Sequence, residues 1–166
     1  MLSFFGEDRP GIVAKVTKEL YKLGLNLEDS SMTRLGNQFG ILLMLSGNSS
    51  RDIIERALEE PVKELGLSFL CREISKEIKN AEYQKSYRII LHGEDKTGIV
   101  YKVSELIASL GLNISDLRTM RRSEIYLMTM EVQGDIDQTE LREKLKALSG
   151  ELELSFELEE EEEIGI

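Results

Sequence analysis

Displaced by 87 positions, this chain overlies itself. Residues 6–34, GEDRPGIVAKVTKELYKLGLNLEDSSMTR, fall on residues 93–121, GEDKTGIVYKVSELIASLGLNISDLRTMR, with 14 of the 29 positions identical. Without a gap, the same offset carries Gly47 onto Gly134, Ile54 onto Leu141 and Leu58 onto Leu145. It also carries Leu67-Ser68-Phe69 onto Leu154-Ser155-Phe156. A period this long marks two duplicated domains rather than a solenoid of short repeats. Each domain, at about 75 residues, can bury only roughly 60–65% of its unfolded surface. Copies that small are expected to pack on each other, on a second chain, or on both.

Within a copy the apolar pattern reads strand, helix, strand, strand, helix, strand. Leu2 to Phe5 is a short apolar run that stops at Gly6. Ile12, Val13, Val16, Leu20 and Leu23 then recur at helical spacing, and Gly24 is a natural stop. The second copy repeats the stripe with Ile99, Val100, Val103, Leu106, Ile107, Leu110 and Gly111. Leu27 to Arg34 is polar for a strand and suits a sheet edge. After the turn at Gly36-Asn37, apolar residues fill both alternating sets of the third strand, Ile41 and Leu43 beside Leu42 and Met44. Some of the second sheet face is therefore expected to be covered by the other copy or another subunit. The second helix is expected from Ser49 or Ser50 and, because of Pro61, to end or kink near Glu60. Asp137 and Glu140 have the spacing of a capping box ahead of the matching helix.

Two helices on one face of a four-stranded antiparallel sheet make a ferredoxin-like domain, so the chain is α+β with two βαββαβ units. We place the first domain at 1–74, a polar linker at 75–86, the second domain at 87–158 and an acidic tail at 159–166.

Composition bounds the function. The chain has 41% hydrophobic and 31% charged residues and a formal net charge of −10, much of it in the glutamates between 157 and 163. That run is expected to fray into water beyond the last strand. Even without it there is no excess of Lys and Arg to track phosphates, which argues against direct nucleic-acid binding. The single cysteine, Cys71, sits in an apolar strand pattern and reads as a packed thiol. No apolar stretch approaches the ~18 residues of a membrane span, and MLSFFGEDRPG lacks the basic leader of an export signal. The expected compartment is the cytoplasm.

What both copies keep most closely is a loop, G-E-D-[RK]-x-G-I-V, answered by L-G-L-N. A helix N-terminus presents N–H groups and a partial positive charge, so it can hold a carboxylate. Gly11 or Gly98 would let a ligand approach the backbone. The Asn26 or Asn113 amide can both donate and accept, and Asp8 or Asp95 could face an ammonium group. Together these describe a cradle for a zwitterion. The plainer alternative is structural: Asp8 caps the helix, Pro10 occupies its first turn, Gly11 eases the bend and Asn26 tolerates a left-handed backbone. Nothing indicates catalysis. The only histidine, His92, is matched by Phe5, and G-x-x-x-x-G at 6–11 lacks the Lys-Ser/Thr of a phosphate loop.

The run G-E-D-R-P-G-I-V-A-K-V, a helix and then L-G-L-N-L resembles the ACT domain, an amino-acid-sensing regulatory module. Each copy matches over nearly its full length. Two such domains with nothing else are similar to the glycine cleavage repressors, a family of transcriptional regulators. The resemblance implies paired domains whose sheets join or stack, as in a homodimer. It implies a small amino-acid ligand, of the glycine or serine class, between the first loop of one domain and the second strand of its neighbour. Carried over residue by residue, that site is Asp8, Arg9, Gly11, Ile12 and Asn26, and in the second copy Asp95, Lys96, Gly98, Ile99 and Asn113. No cofactor, metal or catalytic residue is expected. Some ligand-binding members have an amide in place of Asp8 and Asp95 and a histidine in place of Gly6 and Gly93. Thr97 replaces the loop proline, so the two loops can differ in affinity. The expected role is ligand-dependent association with a protein partner, a transcription factor or a metabolic enzyme. The rival expectation is an interaction module, or a detached regulatory subunit, that binds no small molecule.

Overall fold

In a computed structural model the described residues are 1–74 and 85–161, and the chain divides into two compact units, one for each copy. The first runs β1 (Leu2–Glu7), α1 (Ile12–Lys22), β2 (Asn26–Leu35), β3 (Gln38–Ser46), α2 (Arg51–Leu65) and β4 (Ser68–Cys71). The second runs β5 (Ser86–Glu94), α3 (Ile99–Ser109), β6 (Asn113–Arg122), β7 (Ile125–Gln133), α4 (Gln138–Leu152) and β8 (Leu154–Glu161). Each sheet is antiparallel, ordered β2-β3-β1-β4 and β6-β7-β5-β8. This is the ferredoxin-like βαββαβ arrangement, with polar β2 and β6 at sheet edges.

Period-two alternation decides the buried face. Leu2 and Phe4 of β1 lie opposite Leu43 and Ile41 of β3, and all four join Val16, Leu20 and Leu58 in one core. Burying each such side chain contributes roughly 1.5–3 kcal/mol. In the second unit Ile89, Leu91, Met128 and Met130 do the same beneath Val103, Ile107, Leu141 and Leu145. On the opposite face of the first sheet Phe5, Leu42 and Leu70 stand 58%, 51% and 56% exposed.

The L-G-L-N segment proves to be a helix stop followed by a strand start. Leu25 N–H donates to Leu20 O at 3.1 Å and Gly24 N–H to Tyr21 O at 3.0 Å, with Gly24 at φ 66°. Leu112 and Gly111 repeat those bonds to Ile107 O and Ala108 O. This double closure fixes the exit of each helix. Asn26 and Asn113 begin β2 and β6 and do not occupy the left-handed region, which removes that structural alternative for them.

Three expectations need correction. Of the two outcomes expected at Pro61, an end near Glu60 does not occur: α2 passes through Pro61 to Leu65, capped by left-handed Gly66. An internal proline costs about 3 kcal/mol, and burial of Val62 with partial burial of Leu65 beyond it offsets that cost. The last strand does not stop at Leu158: Glu159, Glu160 and Glu161 pair with Arg88, Tyr87 and Ser86 of β5. The ladder holds them because Glu159 and Glu160 keep their side chains in solvent and the Arg88 guanidinium pairs with Glu161 and, at 3.4 Å, with Glu131. Ser86, assigned to the linker, already belongs to β5. Residues 75–84 of that linker and 162–166 of the acidic tail lie outside the described residues. The Asp137 carboxylate accepts from the Thr139 and Glu140 N–H groups at 2.8 and 3.4 Å, capping α4.

Candidate functional site

The loop after the first strand is built the same way in both units. Gly11 precedes α1 at φ 89°, ψ −4°, and Gly98 precedes α3 at φ 93°, ψ 2°, a conformation that favours glycine. A Cβ at either position would meet nothing within 4 Å, so the positive φ rather than crowding is what favours glycine there. The N-cap residue of each helix is a glycine without a side chain to cap it, and the Asp8 carboxylate is turned to Arg34. Asp8 therefore does not cap α1. Its N–H donates to Asn37 O at 2.8 Å, which ties the loop to the turn between β2 and β3. Its carboxylate faces the Arg34 guanidinium at 3.5 Å, and Asp95 faces Arg121 at 3.1 Å.

Arg34 and Arg121 are residues that reading the loop alone misses. Their signal was in the sequence: they are the last matched pair of the 29-residue repeat. Of the ten positions in β2 and β6, only Asn26/Asn113, Asp29/Asp116 and Arg34/Arg121 are the same.

The remaining candidates divide. Arg9 pairs with Glu7 at 2.7 Å, whereas Lys96 reaches across to Glu153, whose carboxyl it holds below the usual range. Glu153 sits at φ 57° where the first unit has Gly66, so the two loops are tethered differently. Ile12 and Ile99 are 3% and 2% exposed. Their side chains belong to the core, which leaves only their backbone to take part in a site. Gly6 and Gly93, where some family members carry histidine, have a packing reason. A Cβ there would lie 2.7 and 2.6 Å from Cδ2 of Leu67 and Leu154. His92 stands exposed on the helix-free face of its sheet, between Leu127 and Ser155.

Asn26 does not meet Gly11 within a unit. The 11 residues of α1 separate them, about 16 Å at 1.5 Å per residue. Asn26 Nδ2 donates to Glu28 Oε1 at 2.8 Å, and Ser46 Oγ donates to the same oxygen. The Ser46 hydroxyl, then the Asn26 amide, hold the Glu28 carboxyl below its ordinary range. Beside this cluster a cleft of about 750 Å³ is lined by Glu28, Met44, Ser46, Arg51 and Arg72. It lies at the opposite end of the unit from the loop and shares none of its residues. Within a single unit the loop thus lies at one end of the helix and the amide at the other. Among the described residues no three His, Cys, Asp or Glu side chains are grouped to hold a metal ion, and no helix is long and apolar enough to cross a membrane.

The family model of the ACT domain matches residues 1–72, and a second ACT-domain model matches residues 87–150. The chain belongs to the ACT-domain family. Both ACT domains therefore carry the loop and the amide at equivalent places. The chain is 26% identical over 161 residues to the glycine cleavage system transcriptional repressor of Escherichia coli K12, covering 92% of this chain and 84% of that one. A UPF0237 protein of Methanocaldococcus jannaschii is 32% identical over 75 residues, 43% of this chain and 83% of its own. Among solved structures, an "unknown protein" of Galdieria sulphuraria superposes with a TM-score of 0.78 at 27% identity, over 97% of this chain and 96% of that one.

Proposed function

We propose that this tandem ACT protein is a cytoplasmic amino-acid sensor, not an enzyme, that regulates a protein partner. The ligand is a small amino acid of the glycine or serine class. The output is transcriptional control of glycine and one-carbon metabolism, by analogy with the E. coli repressor and without direct DNA contact. The observation that carries the reading is the loop built twice in an ACT chain, with a helix that starts from a left-handed glycine beside an arginine-paired carboxylate in each copy. First-turn N–H groups suit the ligand's carboxylate and Asp8 or Asp95 its ammonium.

The missing amide comes from another ACT domain. β2 and β6 are ten-residue edge strands. If two such edges join antiparallel, the start of one, Asn26 or Asn113, falls beside the end of the other. That end carries Arg34 or Arg121 next to the loop. A ligand in the seam stabilises the joined arrangement, and a partner that prefers or rejects this arrangement reads the ligand by linkage. A homodimer supplies such seams in pairs.

The test is a thermal-shift screen against the twenty amino acids. A ligand at 100 times its Kd adds about 2.7 kcal/mol, equivalent to roughly 11–22 °C for one domain of this size. Asn26→Ala with Asn113→Ala should abolish the shift while leaving the ligand-free melting temperature within about 2 °C. No shift with any amino acid overturns the proposal. A second reading, an interaction module without a small ligand, draws on the exposed row Phe5, Leu42 and Leu70. Partner binding indifferent to every amino acid would favour it.

A further inference from the structure

We propose that Arg34 and Arg121 are positioning residues of the amino-acid site, an inference that rests on the reading above. They hold the loop carboxylates of Asp8 and Asp95 off the starts of α1 and α3, keeping the first-turn N–H groups open for the ligand's own carboxylate.

The problem they solve is local. An aspartate three residues before the left-handed glycine is well placed to fold back onto the helix start, where N–H groups and the helix dipole attract any nearby anion. Such a contact would occupy the groups an α-carboxylate needs. In both units the aspartate instead faces an arginine on the far end of the edge strand, at 3.5 Å from Arg34 and 3.1 Å from Arg121. The N-cap residues, Gly11 and Gly98, have no side chain with which to cap either helix. Other charges on the loops are engaged elsewhere, Arg9 with Glu7 and Lys96 with Glu153. Tyr126, opposite Arg121 on β7, is neutral at working pH: burial first, and Asp95 second, push its hydroxyl above the ordinary range. In the first unit Phe39 stands opposite Arg34. The arginine is thus the cation set against the aspartate in each copy. Two strands that agree at only three of ten positions have both retained it.

The arginines are 67% and 68% exposed and the aspartates 36% and 31%, and solvent-screened ion pairs of this kind bias a conformational choice by only about two- to fivefold. That sets the size of the effect. Isothermal titration of the full chain with glycine and with serine should show two- to fivefold weaker binding for Arg34→Gln/Arg121→Gln and near-native binding for Arg34→Lys/Arg121→Lys. The decisive readout needs no ligand. In ¹H–¹⁵N spectra from pH 3 to 6, the amides of Gly11, Ile12, Gly98 and Ile99 should follow a carboxylate titration at least twice as strongly in the glutamine variant as in the wild type. The lysine variant should match the wild type. An unchanged amide profile in the glutamine variant overturns the proposal, as does undiminished binding. A wild-type chain that gives no heat with either amino acid would sink the sensor reading, and the ligand-free profile would still judge the arginines by themselves.

Discussion

Gly93→Ala tests how the second loop is anchored. Gly93 is the residue where β5 turns into the loop, opposite Leu154 of β8. A methyl group added there would stand 2.6 Å from Leu154 Cδ2, 3.3 Å from Glu153 O and 3.4 Å from Leu154 Cα. Leu154 is in the core, so its side chain cannot simply swing away, and the backbone on the same side is already tight. Overpacking of this kind costs about 1–3 kcal/mol. The reduced freedom of the unfolded chain returns about 0.4–1 kcal/mol. A net loss of roughly 1–2 kcal/mol lowers the melting temperature of a domain this size by roughly 4–16 °C. The chain has no tryptophan, so urea and thermal unfolding are best followed by far-ultraviolet circular dichroism. The mechanism makes a sharper claim than the loss itself. In a Leu154→Val background the offending methyl is gone, and Gly93→Ala should cost at least about 1 kcal/mol less, a coupling measured by the double-mutant cycle. Gly98→Ala, destabilising through its positive φ with no neighbour to strike, should show no such coupling. If Gly93→Ala costs the same with leucine or valine at 154, the steric account is wrong.

Two further outcomes follow from titrating groups. The Asp137 carboxyl is held below its ordinary range by the Thr139 N–H first and the Glu140 N–H after it. A depressed folded value means that its stabilisation is complete above the unfolded carboxylate range and vanishes as pH falls through the folded value. Asp137→Ala should therefore lower the melting temperature at pH 7, with the difference from wild type shrinking below about pH 4. A gap that stays constant to pH 2.5 would contradict the cap. Cys71 is buried in the first core, and burial pushes its thiol above the ordinary range. At pH 7 a disulfide reagent should label it only as fast as the first unit opens, and at least about tenfold faster in denaturing urea. Equal rates in the two solvents would show it accessible.

Most of the fold was legible because local signals and the repeat agreed. Ile12, Val16 and Leu20 announced the buried face of α1, and the polar run from Leu27 to Arg34 announced an edge. The loop glycines were legible as special backbone positions. The partner of Asp8 was not, because Arg34 reaches it only after β2 runs back along the helix, a tertiary consequence of the topology. The separation of Gly11 from Asn26 could have been counted, since an intervening helix of three turns must put them at opposite ends. A helix end at Pro61 and a strand end before Glu159, Glu160 and Glu161 were misread for one reason: local propensity disfavours these residues in a helix or a strand, and tertiary packing and cross-strand pairing overrode it.

The two margins of each sheet are unequal. β4 offers four residues, and β8 ends in glutamates held by the Arg88 pairing, so both are poor templates for a further strand. β2 and β6 offer ten. Docking along those longer rims, as proposed above, would cover the better templates and leave only the short or charged margins facing solvent.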